Sequence, residues 1–179
     1  MPGTTRDPVD SVFAWHKKQV RIVDTAGMRK AGRVASGGAL ESLSVMLARR
    51  AIADADVVVL VIDVAVGPTD QDAAIAGEAD AAGRGVVVAL NKWDLLPEHT
   101  QEAAEAADGE VRRRLPFLDY APIVHISAKT GERTPKLLEV VDRVATERRK
   151  RVATPALNRF IAVITAAQPP VSDARRAVR

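Results

Sequence analysis

Four residues, Asn91-Lys92-Trp93-Asp94, follow directly on the apolar run Gly85-Val86-Val87-Val88-Ala89-Leu90. Their types suit recognition of a guanine ring. Guanine presents two N–H donors side by side, at N1 and the exocyclic amine, and a single carboxylate can accept both. Adenine offers no such pair. Asp94 would take that role. Asn91 carries an amide that can brace the neighbouring loops and approach the N7/O6 edge of the base. The stem of Lys92 can lie along the base plane, and Trp93 reads as packing. Further on, Ser127-Ala128-Lys129 follows a second short strand, Ala121 to Ile126. The backbone N–H of Ala128 would donate to guanine O6, a contact that adenine's amino group could not accept. Taken alone, each pattern is equally a polar strand end. The position after an apolar run is what gives it weight.

A third apolar run, Val20 to Val23, stops on Asp24-Thr25-Ala26-Gly27-Met28. In an open α/β sheet the carboxyl ends of the strands are where ligands bind. Asp24 would hold magnesium through water, and the N–H of Gly27 would point at a γ-phosphate, where a side chain would block close approach. An ordinary strand turn accounts for these residues equally well when they are taken alone. Upstream, the hydroxyl of Thr5, preferred over Thr4, could reach the same magnesium when its loop closes. A polar turn is the alternative there. Three motifs in this order, each at the end of an apolar run, make coincidence a poor account.

The elements that must position them follow from patterning. Met1 to Asp10 is polar and turn-rich. Alternation on either side of His16-Lys17-Lys18-Gln19 predicts a hairpin whose second strand, buried in the sheet, runs into Asp24. Met28 to Gly38 reads as a mobile basic loop, and Leu40, Leu43, Leu47 and Ile52 predict a helix over 39–55. Asp56 to Asp63 and Gly85 to Leu90 are β-branched runs of the kind buried on both faces. Thr69 is placed to cap a helix that Gly83 stops, and Gln101 to Arg114 reads as helix. Thr134-Pro135 and Thr154-Pro155 each predict a helix start with Thr as the cap. Leu137, Leu138, Val141 and Val144 form the apolar face of the first of these helices. Pro169-Pro170 is expected to stop the second. Strands alternating with helices predict an α/β fold with a mainly parallel sheet. The composition changes near Arg148 to Ala153, which sets the expected domains at 1–150 and 151–179.

Composition bounds the rest. The 179 residues are 47% hydrophobic but 3% aromatic, so the core must be aliphatic. No cysteine is present, which excludes a disulfide framework and fits a reducing compartment. A net charge of +3 is compatible with a nucleic-acid partner and too weak to argue for one. No stretch is long and apolar enough to span a membrane. The expectation is a soluble, cytoplasmic protein with no membrane partner.

The motif set resembles translation-factor-type GTPases. More closely, it is similar to the second G domain of the Der (EngA) family of bacterial ribosome-assembly GTPases. The stretches that carry this are Gly3 to Asp7, Asp24 to Lys30, Thr69-Asp70-Gln71-Asp72, Asn91 to Leu95 and Ser127 to Gly131. The resemblance implies a GTPase-type sheet with flanking helices, GTP and GDP as ligands, Mg2+ at Thr5 and Asp24, and the large ribosomal subunit, its rRNA and proteins, as partner. It also implies that Thr154 to Pro170 is the first helix of a KH-like domain. Met28 stands where Ras-like enzymes carry a water-orienting glutamine, and a thioether cannot polarise water. The family's substitute is a K+ ion near the Gly-Thr-Thr-Arg loop.

The phosphate loop, Gly-x-x-x-x-Gly-Lys-[Ser/Thr], does not occur in these residues. The family places it upstream of Gly3, with a strand that lies between those ending at Asp24 and Asp63. The expectation is therefore a fragment truncated at both ends, in which turnover is in doubt and Asp24 and Gly27 are half of a magnesium-phosphate site. An internal start codon in a genuine short gene is the alternative. Two other functions stay open: a non-catalytic interaction fragment or pseudo-GTPase module, and a relative of tRNA-modification GTPases. His16, His99 and His125 have no metal-ligand spacing and read as turn or surface residues. Asp63 reads as a turn or cap residue. Arg29, Lys30 and Arg33, and the basic run Arg148 to Arg151 with Arg175, Arg176 and Arg179, read equally as solvated faces or as contacts to RNA or protein.

Overall fold

The fold was analysed in a computed structural model, which describes residues 10–23, 46, 49–96 and 100–167. Its centre is strand β4 (Gly85–Asn91), flanked by β3 (Val57–Asp63) and β5 (Ile123–His125) in a parallel sheet of order β3-β4-β5. The unbroken Val-rich run explains the place of β4, because successive side chains point to opposite faces and both of its faces are covered. Strand β3 corrects the expectation of burial on both faces: Leu60 and Ile62 are buried, but Val61 on the other face is 54% exposed. Val86, Val88 and Leu90 face one aliphatic core with Leu60, Ile62, Ala76, Val111 and Leu118. Val87 and Ala89 face another with Val124, Ile126 and Val140. The two apolar periods of one strand thus build two layers of core.

Helix α1 (Asp70–Ala81) connects β3 to β4. Its start matches expectation. The hydroxyl of Thr69 accepts from the N–H of Asp72, and the Asp72 carboxylate accepts from the N–H of Thr69 at 3.0 Å, a reciprocal capping box. The helix ends at Gly83, whose φ of +63° is a conformation that suits residues without a Cβ. Helix α2 (Gln101–Arg114) is capped by Thr100, which accepts from Ala103 N–H. From its last turn Arg112 donates to the carbonyls of Leu118 and Ala121, at 2.5 and 2.6 Å, and so secures the short turn that leads to β5.

Helix α3 (Thr134–Arg148) packs on the second core face through Leu137, Val140, Val141 and Val144. Val140, not Leu138, supplies its buried position. The start also differs from expectation. The helix takes in Thr134, whose hydroxyl donates to the Gly131 carbonyl, and Arg133, at φ +57°, precedes it and offers its carbonyl to Leu137. Packing of α3 on the sheet is tight at Gly85, where an added Cβ would lie 2.6 Å from Val144 Cγ1.

The N-terminal pair corrects two expectations. Strands β1 (Asp10–Trp15) and β2 (Lys18–Val23) form an antiparallel hairpin in a sheet of their own, separate from β3-β4-β5. The turn is only His16-Lys17, both residues at positive φ, so Lys18 and Gln19 belong to the strand. Such a turn matches the right-handed twist of the strands. Strand β2 is also not buried. Ile22 is exposed and Val20 and Val23 are half-buried, because among the described residues β2 pairs with β1 alone. The strand ends at Val23. An ion pair from Lys18 to Asp142 ties the hairpin to α3.

Of the helix expected over 39–55, residues 49–54 are described and helical, with Ile52 buried in the first core. The chain divides into two units, Met1–Arg148 and Arg149–Arg179. The second contains α4 (Thr154–Ala167), a helix with no buried residue. No helix among the described residues is long and apolar enough to cross a membrane.

Tyr120 gives a pH test of the packing between α1 and the turn before β5. Its hydroxyl donates to Asp80 Oδ1 at 2.8 Å, although the ring is 60% exposed. Desolvation of the hydroxyl, with the bond to Asp80 and its charge, pushes the phenol from 10.0 up to about 12. The neutral phenol is thus the form favoured by folding. Its contribution to stability is full below pH 10 and is lost as the pH rises towards about 12. Because the chain has one tyrosine, tyrosinate absorbance reads this group alone. The expected midpoint lies well above that of free tyrosine, and Asp80→Asn should lower it.

Candidate functional site: the carboxyl ends of β4 and β5

Two of the three sequence motifs fall inside the described residues, and the sheet brings them together. Strands β4 and β5 run parallel, so their carboxyl ends open on the same edge. Asn91 closes β4, Lys92 turns the chain in a left-handed conformation at φ +66°, and Trp93–Leu95 form one turn of 3-10 helix. A left-handed lysine is uncommon outside turns, and here it is the break between β4 and the 3-10 turn that contains Asp94. Beyond β5, Ser127 bridges Glu132, and the loop between them closes on Gly131 at φ +81°. Ser127 is fully buried. Its Oγ accepts from Thr130 N–H and its carbonyl from Gly131 N–H, so it serves the turn itself.

Asn91 links the two loops. Its Oδ1 accepts the N–H of Ala128 at 2.9 Å. The brace expected of Asn91 is thus present, and it uses the same N–H that the sequence reading gave to a base oxygen. The backbone adds a second tie, from Trp93 N–H to the Ile126 carbonyl at 3.0 Å. Next in the chain after Trp93 is Asp94, whose Oδ1 is shielded from solvent and has no hydrogen-bond partner. A buried carboxylate oxygen without a donor costs free energy, on the order of 1–3 kcal/mol or more for a charged group. Such an atom is an unfilled acceptor, suited to a ligand that brings N–H groups.

Lys92 and Asp63 form an ion pair of 2.6 Å across the adjacent ends of β4 and β3. The hydrogen bond from Lys92 holds the Asp63 carboxyl below its ordinary value, against partial desolvation. Asp63 also accepts from the N–H of Ala65, and its carbonyl accepts from Val66 and Gly67, which is the turn role expected of it. Its partnership with Lys92 was not anticipated. The pair ties the side chain of Lys92, the residue after β4, to the end of β3. Lys129 is exposed at the loop.

Trp93 is buried, as expected of a packing residue. His125 corrects the reading of a turn or surface residue. It lies within β5, half-buried, stacked on Trp93 and bonded to Asp108. An isolated histidine carries no pattern that would have revealed this. His16 does occupy a turn, and stacks on Trp15. Thr5, Asp24, Thr25, Ala26, Gly27, Met28, Arg29, Lys30, Arg33 and His99 lie outside the described residues, as do Pro169, Pro170 and the basic residues near the C-terminus. Among the described residues, no group of three or more His, Asp or Glu side chains could hold a metal ion.

The carboxyl edge of the parallel sheet thus carries a half-buried Asp94 whose Oδ1 lacks a donor. The chain belongs to the family of the elongation factor Tu GTP binding domain, whose model matches residues 45–147. Within that class its sequence is similar to GTPase Der of Heliobacterium modesticaldum, 44% identical over all 179 residues. The Der resemblance read from the motifs is thus borne out. The chain spans 40% of the length of that relative. Among solved structures it resembles Era from Aquifex aeolicus bound to GDP and aluminium fluoride, with a TM-score of 0.62 and 25% identity over 80% of this chain and 46% of Era. A probable GTP-binding protein, EngB, shares the fold at a TM-score of 0.52 and 19% identity, over 82% of this chain and 87% of its own.

Proposed function

We propose that this chain is the guanine-recognising part of a Der-type GTPase. In the full-length protein, binding and hydrolysis of GTP would control docking on the large ribosomal subunit. The observation that carries the reading is the buried, unpartnered Oδ1 of Asp94 at the end of β4, beside the Ala128 loop. The Asp94 carboxylate accepts N1–H and the exocyclic amine of guanine. The Ala128 N–H, held ready by Asn91, turns to O6 or is shared with it. The stem of Lys92, drawn out by Asp63, lies against the base.

The phosphate end is assigned to residues outside the described part. Asp24, through water, and Thr5 would hold Mg2+, which supplies charge neutralisation at the phosphates. Gly27 would offer its N–H to the γ-phosphate. K+ is the family's aid where Met28 replaces a polar side chain. The motif Gly-x-x-x-x-Gly-Lys-[Ser/Thr] is not among the 179 residues, so the amides and lysine that cradle the β-phosphate must come from elsewhere for hydrolysis to proceed. Residues 151–179, with α4, are read as the start of a KH-like domain, and residues 1–150 as belonging to the G domain.

Titration with a fluorescent GDP analogue in the presence of magnesium tests this. Saturable binding that GTP displaces and ATP does not is the expected result. No binding, or equal displacement by ATP, rejects guanine recognition. Specific binding without phosphate release supports a nucleotide-binding module whose turnover needs the longer protein.

A further inference from the structure

The turn that carries Asp94 rests on a column of three side chains from three elements. The indole of Trp93, only 2% exposed, stacks on the imidazole of His125, with ring centroids 4.1 Å apart and planes inclined by 18°. His125 Nε2 lies 2.8 Å from Asp108 Oδ1 on α2. A carboxylate oxygen can only accept, so Nε2 carries the proton in this contact. The backbone reinforces the same junction, since Ile126 N–H donates to the Leu90 carbonyl and Trp93 N–H to the Ile126 carbonyl. Beside the column lies a cavity of about 230 Å³, edged by Glu105, Asp108 and Arg133. No close-packed wall therefore stands ready to replace the imidazole if it is lost.

From this geometry we infer that His125 is a positioning residue for guanine recognition: its ring, oriented by Asp108, fixes Trp93 and thereby the setting of Asp94. The inference rests on the guanine reading given above. Trp93 and Asp94 are consecutive in one 3-10 turn, so tilting the indole rotates the backbone that aims the carboxylate. An offset aromatic stack contributes enough to change the occupancy of one loop geometry by about two- to tenfold. The flat face does the fixing, and the bond to Asp108 is a secondary restraint on its angle.

Two substitutions separate these roles. His125→Phe keeps an aromatic face and loses the Asp108 contact. His125→Leu has comparable bulk and no face. In the full chain, His125→Leu should weaken GDP binding by up to about tenfold and reduce the preference for GDP over inosine diphosphate, which lacks the exocyclic amine. It should also speed amide exchange at Trp93 and Leu95 relative to Val87–Ala89, while His125→Phe stays within about twofold of the parent on each measure. Exchange that accelerates equally in the turn and in β4, with the base preference unchanged, means a purely structural role and overturns the inference. Equal values for all three proteins do the same. If the parent binds no GDP, the guanine reading fails, and amide exchange still decides the column. Faster turn exchange in His125→Leu alone upholds it, and no difference rejects it.

Discussion

Asp94→Asn should reverse the base preference of the chain, from guanine to xanthine. The carboxylate accepts two donors, N1–H and the exocyclic amine. An amide at the same place keeps one acceptor and gains an N–H donor that faces the amine of guanine, donor against donor. Xanthine carries a carbonyl where guanine carries that amine, and so pairs with the new donor. Hydrogen bonds to a charged group are each worth about 1.5–3 kcal/mol, so losing the pair should weaken GDP binding by roughly a hundredfold or more. Xanthosine diphosphate binding should rise. The substitution should cost little stability, because Oδ1 of Asp94 has no partner within the fold to lose. Competition between the two diphosphates for a fluorescent probe reads the outcome, and unchanged preference would remove Asp94 from the base site.

The second large effect is expected in the core. Leu90 is about 1% exposed, sits in the central strand and packs in the first aliphatic layer with Leu60, Ile62 and Leu118. Leu90→Ala should destabilise the chain by about 2–5 kcal/mol, a large share of the roughly 5–15 kcal/mol available to a domain. Leu95, two-fifths covered and five residues on, is the control. Leu95→Ala should stay within about 0.5 kcal/mol. Urea midpoints separate the two. Leu90 also precedes Asn91 and offers its carbonyl to Ile126, so Leu90→Ala should loosen the base loops as well as the core.

What could be read in advance follows from physical locality. Strands β3 and β4 announce themselves because an unbroken β-branched run needs no partner information, although only β4 is buried on both faces and Val61 leaves one face of β3 open. The start of α1 is equally local, since Thr69 and Asp72 satisfy each other's backbone donors. The guanine motif is legible because four consecutive residues contain the chemistry. Three features depend on distant partners and were not legible. Burial of β2 depends on what pairs with its second edge, and the described structure gives it only β1. The place of His125 depends on Trp93 and Asp108, 32 and 17 positions earlier by their numbers in the chain. The engagement of Ala128 N–H with Asn91 crosses between two loops that the sequence separates by 37 positions.

The separate N-terminal sheet has a thermodynamic consequence. Among the described residues, strands β1 and β2 satisfy their register pairs only with each other, leave Val12 and Ile22 exposed, and are tied to α3 by the ion pair of Lys18 with Asp142. A two-stranded hairpin is marginal by itself in water, and an exposed ion pair adds less than about 1 kcal/mol. The three-stranded sheet, with a core on each face, is the more strongly held part. Melting of this chain is therefore expected to depart from one all-or-none event. The hairpin loses its structure at lower temperature than the sheet, so the total calorimetric enthalpy exceeds the van't Hoff enthalpy of the main transition, and the midpoint of that transition belongs to β3-β4-β5 and its helices.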